Sequence, residues 1–481
     1  MLRSSTVLLL TLLALPAAAQ ELPEPPADAF DLSAAIADGT PLSAAAAADA
    51  ALAAAPSLER ARALARAAEA QIARTRAAML PRLELSAAYQ RVDGFEDGSI
   101  ALGGDPAAIE AARALAASVT DPAARALWLG TIEQQAAGAV TIAIPRDRVR
   151  FSARLTWAAS DLFFSVLPAI EASEAGARVR EHELEATRAA TRRSALEAYY
   201  GLARARGAHA VTVEAQRQAR AQRASVEAAV RAGYLTVADQ HAADARVAEV
   251  EQALVAAEAG VEVADAALRM LMGREPGAPF GVALGEVRAA AAADPASAVA
   301  TRAELRALRA AIDAHRAAGR VEEARGYPRL ALFAGADLAN PNPYQIPPRQ
   351  EFTPSWELGA MLVWAPNDTL SAVHRGDELG AERAALEARL VELERLVRLE
   401  VAQSVARARA AERGIEAAHA AERAAEAAYA ARLAEVRAGR ATTAELFAAE
   451  GQLHRARLAA LDAEVARRLA LVHADYASGR L

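Results

Sequence analysis

Four short stretches of the chain alternate between apolar and polar side chains with little interruption. In the first, Leu83, Leu85, Ala87 and Tyr89 oppose Arg82, Glu84, Ser86 and Gln90. In the second, Val149, Phe151, Ala153, Leu155 and Trp157 oppose Arg148, Arg150, Ser152, Arg154 and Thr156. A third carries the apolar row Leu330, Leu332, Ala334, Ala336 and Leu338. The fourth sets Trp356, Leu358, Ala360, Leu362 and Trp364 against Glu357, Gly359, Met361 and Val363. A period of two predicts β-strands at about 82–92, 147–157, 329–338 and 355–364.

Elsewhere the period changes. Val250, Leu254, Ala257, Val261, Ala264, Leu268 and Leu271 follow a four-three spacing, as do Leu458, Leu461, Val465, Leu469 and Val472. These are coiled-coil seams, and their alanines let neighbouring helices approach closely. No proline interrupts Ala169–Ala232 or Asp377–Ala438. The composition there is alanine, arginine, glutamate and leucine, all strong helix formers. Each stretch, unbroken, would make a helix of roughly 90 Å at 1.5 Å per residue.

Landmarks recur in one order. Met79-Leu80-Pro81-Arg82-Leu83-Glu84-Leu85 is echoed by Gly326-Tyr327-Pro328-Arg329-Leu330-Ala331-Leu332, and Leu155-Thr156-Trp157 by Leu362-Val363-Trp364. Leu196-Glu197 and Arg231-Ala232-Gly233 return as Leu399-Glu400 and Arg437-Ala438-Gly439. The chain therefore reads as two structural repeats, 42–275 and 296–475, joined by a linker at 276–295. Each repeat is a strand hairpin followed by a very long helical hairpin, at 169–272 with its tip at Gly233 and at 376–475 with its tip at Gly439. The fold class is mainly α with a small β part. The first strand hairpin carries a long inserted loop, 95–146, with two Asp-Pro pairs and two helical stretches.

Composition decides where such a chain works. Arg3 followed by the apolar run Val7–Leu15 and by Ala17-Ala18-Ala19 reads as a signal peptide over 1–19. A proline- and acid-rich extended leader, 20–41, follows it. No later run is long enough for a membrane helix, so a membrane-inserted form would have to be a closed β-barrel. A hairpin packed on a soluble core shows the same alternation. Export, strand lengths near the 9–11 residues of a tilted membrane strand, and tryptophan and tyrosine near strand ends favour lipid. Four strands cannot close alone, and three copies would give twelve. The net charge is −7 with no lysine, which offers nothing to nucleic acid. Cysteine is absent, which excludes thiolate metal sites and an N-terminal lipid anchor.

The opening run Leu42-Ser43 to Leu80-Pro81-Arg82-Leu83, the strand exits at Trp157 and Trp364, and the two hairpin turns together resemble the TolC-like outer-membrane efflux protein family. The turns are the most specific element: Gly233-Tyr234-Leu235-Thr236 leading to Asp239, and Gly439-Arg440-Ala441-Thr442 leading to Glu445. The resemblance implies a homotrimer with a 12-stranded barrel in the outer membrane and an α-helical tunnel in the periplasm. It implies a conduit for small molecules or polypeptides, coupled through a periplasmic membrane-fusion adaptor to an inner-membrane efflux or secretion pump. Gly233, Tyr234, Leu235, Thr236, Gly439, Arg440 and Thr442 would form the adaptor-docking tip, with Asp239 and Glu445 as the gate. A capping role explains the two acids equally well. Leu83, Leu85, Tyr89, Phe151, Leu155, Trp157, Leu332, Trp356, Leu358 and Trp364 would face lipid, and the 95–146 insertion the cell exterior. The rival reading is a soluble periplasmic coiled-coil tether or adaptor.

Catalytic chemistry is missing from the sequence. The eight histidines stand singly, with no i, i+4 metal pair, no phosphate-binding glycine loop and no nucleophile elbow. The expectation is a channel subunit that is not an enzyme and holds neither cofactor nor metal.

Overall fold

The computed structural model describes residues 32–94, 98–101, 105–136, 139–142, 145–285, 294–346 and 349–481. The signal peptide expected over 1–19 lies outside them. The chain opens with α1 (Leu32–Ala37), β1 (Thr40–Leu42), α2 (Ala44–Ala54) and α3 (Pro56–Ala77). The first strand hairpin follows as β2 (Arg82–Arg91), β3 (Gly98–Ala101), α4 (Pro106–Ala117), α5 (Pro122–Ala136), β4 (Ala139–Ile142) and β5 (Asp147–Ala158). Next come α6 (Leu167–Arg231), α7 (Val237–Met272), β6 (Phe280–Val282), α8 (Pro295–Thr301) and α9 (Ala303–Ala324). The second hairpin pair is β7 (Arg329–Asn340), β8 (Thr353–Val363), α10 (Pro366–Arg437) and α11 (Thr443–Ala477).

The chain divides into two compact units, and each takes segments from both repeats. One, 68–177 with 311–385, holds an antiparallel sheet of order β2-β5-β7-β8. The two strand hairpins join through β5 and β7, with Phe151 opposite Leu338 and Leu155 opposite Ala334. The insertion extends the first hairpin: β3 and β4 pair as a ribbon, and Asp105 and Asp121 cap the two helices beyond it. The two helical stretches read in this insertion are present, because each Asp-Pro pair supplies an N-cap and a proline at the first helical position, and the β3–β4 ribbon beneath them was not anticipated.

Both long helices begin earlier than the proline-free stretches suggested. Pro366 is the first residue of α10, where a missing N–H costs nothing. At α6 the chain enters through a π-helical turn, Leu162–Val166, with the Leu167 N–H donating to Leu162 O. That widened turn precedes Pro168, whose ring cannot follow an ordinary α-turn.

The other unit, 1–67 with 178–310 and 386–481, is helical in its described part apart from a short parallel ribbon, β1 with β6. Its largest core gathers Ile36, Leu42, Tyr199, Leu202, Leu268, Met272, Phe280 and Val282. Every apolar position of the two seams is buried or half-buried here. A second core joins Val299, Leu305, Val397, Val401 and Ala477. The described part of the leader is not all extended, since it holds α1, and the linker carries β6. Ile36 and Leu42 on one side, and Phe280 and Val282 on the other, bury the same apolar surface, so both segments fold onto α6. Tyr199 ties them: its hydroxyl accepts from Ala283 N–H (2.9 Å) and donates between Leu42 O (2.9 Å) and Ala283 O (3.0 Å). Among the described residues no helix is long and apolar enough to cross a membrane.

Candidate functional site

Register places every apolar row of the four strands on one face of the sheet. Leu83 lies opposite Leu155, Leu332 opposite Trp157, and Leu358 opposite Ala334. Among the described residues nothing covers this face. Leu85 is 73 % exposed, Leu358 76 % and Trp356 81 %. Its middle is aliphatic: Leu83, Leu85, Leu155, Leu332 and Leu358. Aromatic side chains flank that band. Trp157 and Trp364 sit at the end where strands meet helices, and Tyr89, Phe151, Phe352 and Trp356 at the end carrying the loops. Trp364 falls one residue beyond β8, and its indole N–H donates to Gly326 O (3.3 Å). Nine of the ten residues expected on this face therefore lie on the sheet, and the tenth adjoins it. Leu330, Leu338 and Leu362 complete it.

The opposite face is polar and shallow. It carries Arg82, Glu84, Arg148, Arg150, Arg154, Asp337 and Glu357, with Arg154 and Glu357 paired at 3.0 Å. Two glycines keep it low. Phe333 lies flat over its cross-strand partner Gly359, and Glu357 over Gly335. A Cβ on Gly359 would strike the Phe333 ring, and one on Gly335 would crowd Glu357 Cγ at 2.9 Å.

The hairpin tips have one construction used twice. Gly233 (φ 78°) and Gly439 (φ 69°) end their helices in the left-handed region. Gly233 N–H donates to Val230 O (3.0 Å) and Tyr234 N–H to Ala229 O (2.9 Å). Gly439 and Arg440 repeat this with Val436 O (3.0 Å) and Glu435 O (2.8 Å), giving two Schellman ends. Thr236 and Thr442 then cap the returning helices in full capping boxes. Asp239 and Glu445 accept from the threonine N–H groups at 3.0 and 2.9 Å. The capping role of both acids is thus a feature of the structure.

The tips also meet. Thr443 Oγ1, buried, donates to Asp239 Oδ1 at 2.6 Å. That bond, then those from Thr236, hold the Asp239 carboxyl below its ordinary range. The Thr442 backbone N–H and hydroxyl do the same for Glu445, aided by Arg432 at 3.9 Å. Nothing in the sequence pointed to Thr443, because Val237 holds its place at the first tip. Tyr234 is 77 % exposed, and Gly233, Thr236, Gly439, Arg440 and Thr442 are exposed too, while Leu235 is half-buried.

Higher on the same returning helices, sequence reading missed a buried ionic group. Glu450 of α11 is 1 % exposed and lies 3.5 Å from Arg246 Nε of α7. Neither carboxylate oxygen has a hydrogen-bond partner. Burial outweighs the guanidinium and pushes the Glu450 carboxyl up to about 7. A glutamate in an arginine- and alanine-rich helix carries no sequence mark of burial. His419 lies between two carboxylates, Glu464 (3.1 Å) and Glu422 (3.4 Å), and His473 pairs with Glu197 (2.9 Å). Among the described residues no group of three or more could hold a metal.

With this geometry in view, the likeness to solved structures is specific. The outer-membrane channel OprN superposes with a TM-score of 0.69 at 19% identity, covering 96% of this chain and 98% of that one. The open state of the Neisseria gonorrhoeae MtrE outer membrane channel gives 0.70 at 17% identity, covering 91% and 88%. The Campylobacter jejuni CmeC outer membrane channel gives 0.71 at 13% identity, covering 91% and 85%. No family model matches the chain, and no curated protein does. The fold of this chain is that of outer-membrane channels. The resemblance to TolC-like proteins carried by its strand exits and tips holds at the level of that fold.

Proposed function

We propose that this chain is one third of a trimeric outer-membrane conduit that exports small molecules or polypeptides and performs no catalysis. The observation that carries the reading is the continuous apolar face, exposed on all four strands and bounded by aromatic side chains at both ends. In water such a face favours aggregation; in a bilayer it matches the apolar band of a transmembrane barrel with its two aromatic girdles. The strands, at 10, 12, 12 and 11 residues, suit the hydrocarbon thickness. Within the chain β2 and β8 each pair on one side only. In lipid those edges must be satisfied, and pairing β2 of one copy with β8 of the next closes twelve strands from three copies.

The polar face then lines a wet lumen, and the helical hairpins continue it through the periplasm. The two capped tips form the far end of that tunnel. Gly233, Tyr234, Leu235, Thr236, Gly439, Arg440 and Thr442 present the surface on which a periplasmic membrane-fusion adaptor docks. An inner-membrane pump beyond it supplies the energy. Asp239 and Glu445 ring the entrance as a gate while also capping their helices. The fold shared with OprN, MtrE and CmeC supports this reading.

The test is fractionation of the full chain. Recovery from outer membranes as a heat-modifiable trimer, with small and mostly closed conductance in planar bilayers, is the expected result. A soluble monomer would overturn the conduit in favour of a periplasmic tether. Asp239→Asn with Glu445→Gln should raise the conductance or weaken its block by cations. Unchanged currents would remove the gate assignment and leave the channel standing.

A further inference from the structure

The charges on the polar face of the sheet do not cancel, and the excess is localised. Arg82 pairs with Glu84 (3.8 Å), Arg154 with Glu357 (3.0 Å), and Arg329 with Asp161. At the loop end the carboxylates are also committed. Asp93 faces Arg146 (3.4 Å), Asp147 faces Arg91 (3.5 Å) and the Tyr89 hydroxyl (2.9 Å), and Glu351 faces Arg349 (3.8 Å). Arg148 and Arg150 remain. Both are exposed, and neither has an ion pair or hydrogen bond among the described residues. They stand two apart on β5, on one side of the sheet and near its loop end. Their cross-strand neighbours are undemanding: Gln90 for Arg148, and Ala88 and Ala339 for Arg150. Asp337, opposite Ser152 and deeper in the sheet, offsets only one of the two charges.

We propose that Arg148 and Arg150 make the outer mouth of the lumen a binding ring for oxyanions, so that the exported cargo includes solutes bearing carboxylate, phosphate or sulfonate groups. The inference rests on the trimeric conduit described above, in which the polar face looks inward and three copies bring six guanidiniums to one rim. A guanidinium offers a planar fork that grips two oxygens of such a group. A ring of like charge around a narrow opening concentrates counter-ions within it. Its reach is about 10 Å at 0.1 M salt, comparable with the radius of a small barrel, so the effect is strong only at low ionic strength.

The experiment uses the full chain in planar bilayers, with inositol hexakisphosphate added on the barrel side at low salt. Wild type should be blocked, and less so as salt rises. Arg148→Gln with Arg150→Gln should need about tenfold more of the polyanion for the same block, each factor of ten being one decade in binding constant. The variant must still run as a heat-modifiable trimer; if it does not, Arg148→Lys with Arg150→Lys replaces it, retaining charge and losing the fork, with an intermediate shift expected. Spermine on the same side should not block. Equal block of wild type and variant, or equal block by spermine, overturns the arginine ring and leaves the conduit intact. Absence of any channel overturns both.

Discussion

The two units handle apolar side chains in opposite ways. In the helical unit Tyr199, Leu268 and Leu305 are wholly covered by neighbouring residues. In the sheet unit Leu85, Leu358 and Trp356 are largely exposed, although their strands are just as regular. The difference is one of intended surroundings. A helix seam is finished by its own chain, whereas the described residues leave this sheet face open.

The sharpest way to break that comparison is a pair of leucine truncations. Leu268→Ala removes atoms from a packed core and should cost about 2–5 kcal/mol, since a cavity remains. Leu358→Ala forfeits only transfer free energy, about 1–2 kcal/mol, because fluid lipid leaves no void. Melting of the helical signal in lipid or detergent reads both. Equal losses would mean that the sheet face is packed against protein.

A charge probes the same contrast from the other side. Leu358→Arg should cost about 2–4 kcal/mol per copy in a bilayer. Ala88→Glu, on the polar face opposite Arg150, should cost no more than about 0.5 kcal/mol. Trimer yield after refolding into vesicles separates them, and a tolerated Leu358→Arg would place that face in water.

Within the helical unit the buried Glu450 predicts a pH dependence. Its folded value of about 7 exceeds the ordinary 4.5, so the folded chain binds the extra proton between those limits. The stability that Glu450 contributes is therefore fully present below about 4.5, falls as pH rises toward 7, and is gone above it. The total is on the order of 3 kcal/mol at 1.36 kcal/mol per unit. Glu450→Gln should flatten the helical melting profile between pH 5 and 8. Insertion of the barrel should not respond, which sharpens the division between units.

The smallest expected effect lies at the tips. Thr442→Ala and Thr236→Ala should each cost about 1 kcal/mol of local stability. Faster amide exchange in the first turn of α11 or α7 reports it. Exchange in the sheet should be unchanged.

Sequence reading reached the parts of this structure whose signals are local and periodic. Alternation marked the four strands and put nine of ten chosen residues on one face. Glycine followed by threonine and an acid marked both tips. What escaped depends on partners distant in sequence. The β1–β6 ribbon arises because Leu42 and Val282 bury one surface, and neither segment has a period to show it. Thr443 matters through Asp239, more than two hundred residues away. Glu450 differs from Glu445 and Glu464 of the same helix by being buried. Prolines were legible as interruptions but not as beginnings, so α10 was expected ten residues late.

The Tyr199 hydroxyl has a consequence for the order of assembly. It holds Leu42, near the beginning of the folded part, and Ala283, at the passage from one repeat to the next. A ribosome delivers Leu42 long before Ala283, so the opening segment has nothing to dock on until the first repeat has been made. β2 likewise has no strand to pair with until β5 has been made. Early in its synthesis this chain therefore has few partners to fold against, because its long-range contacts come late.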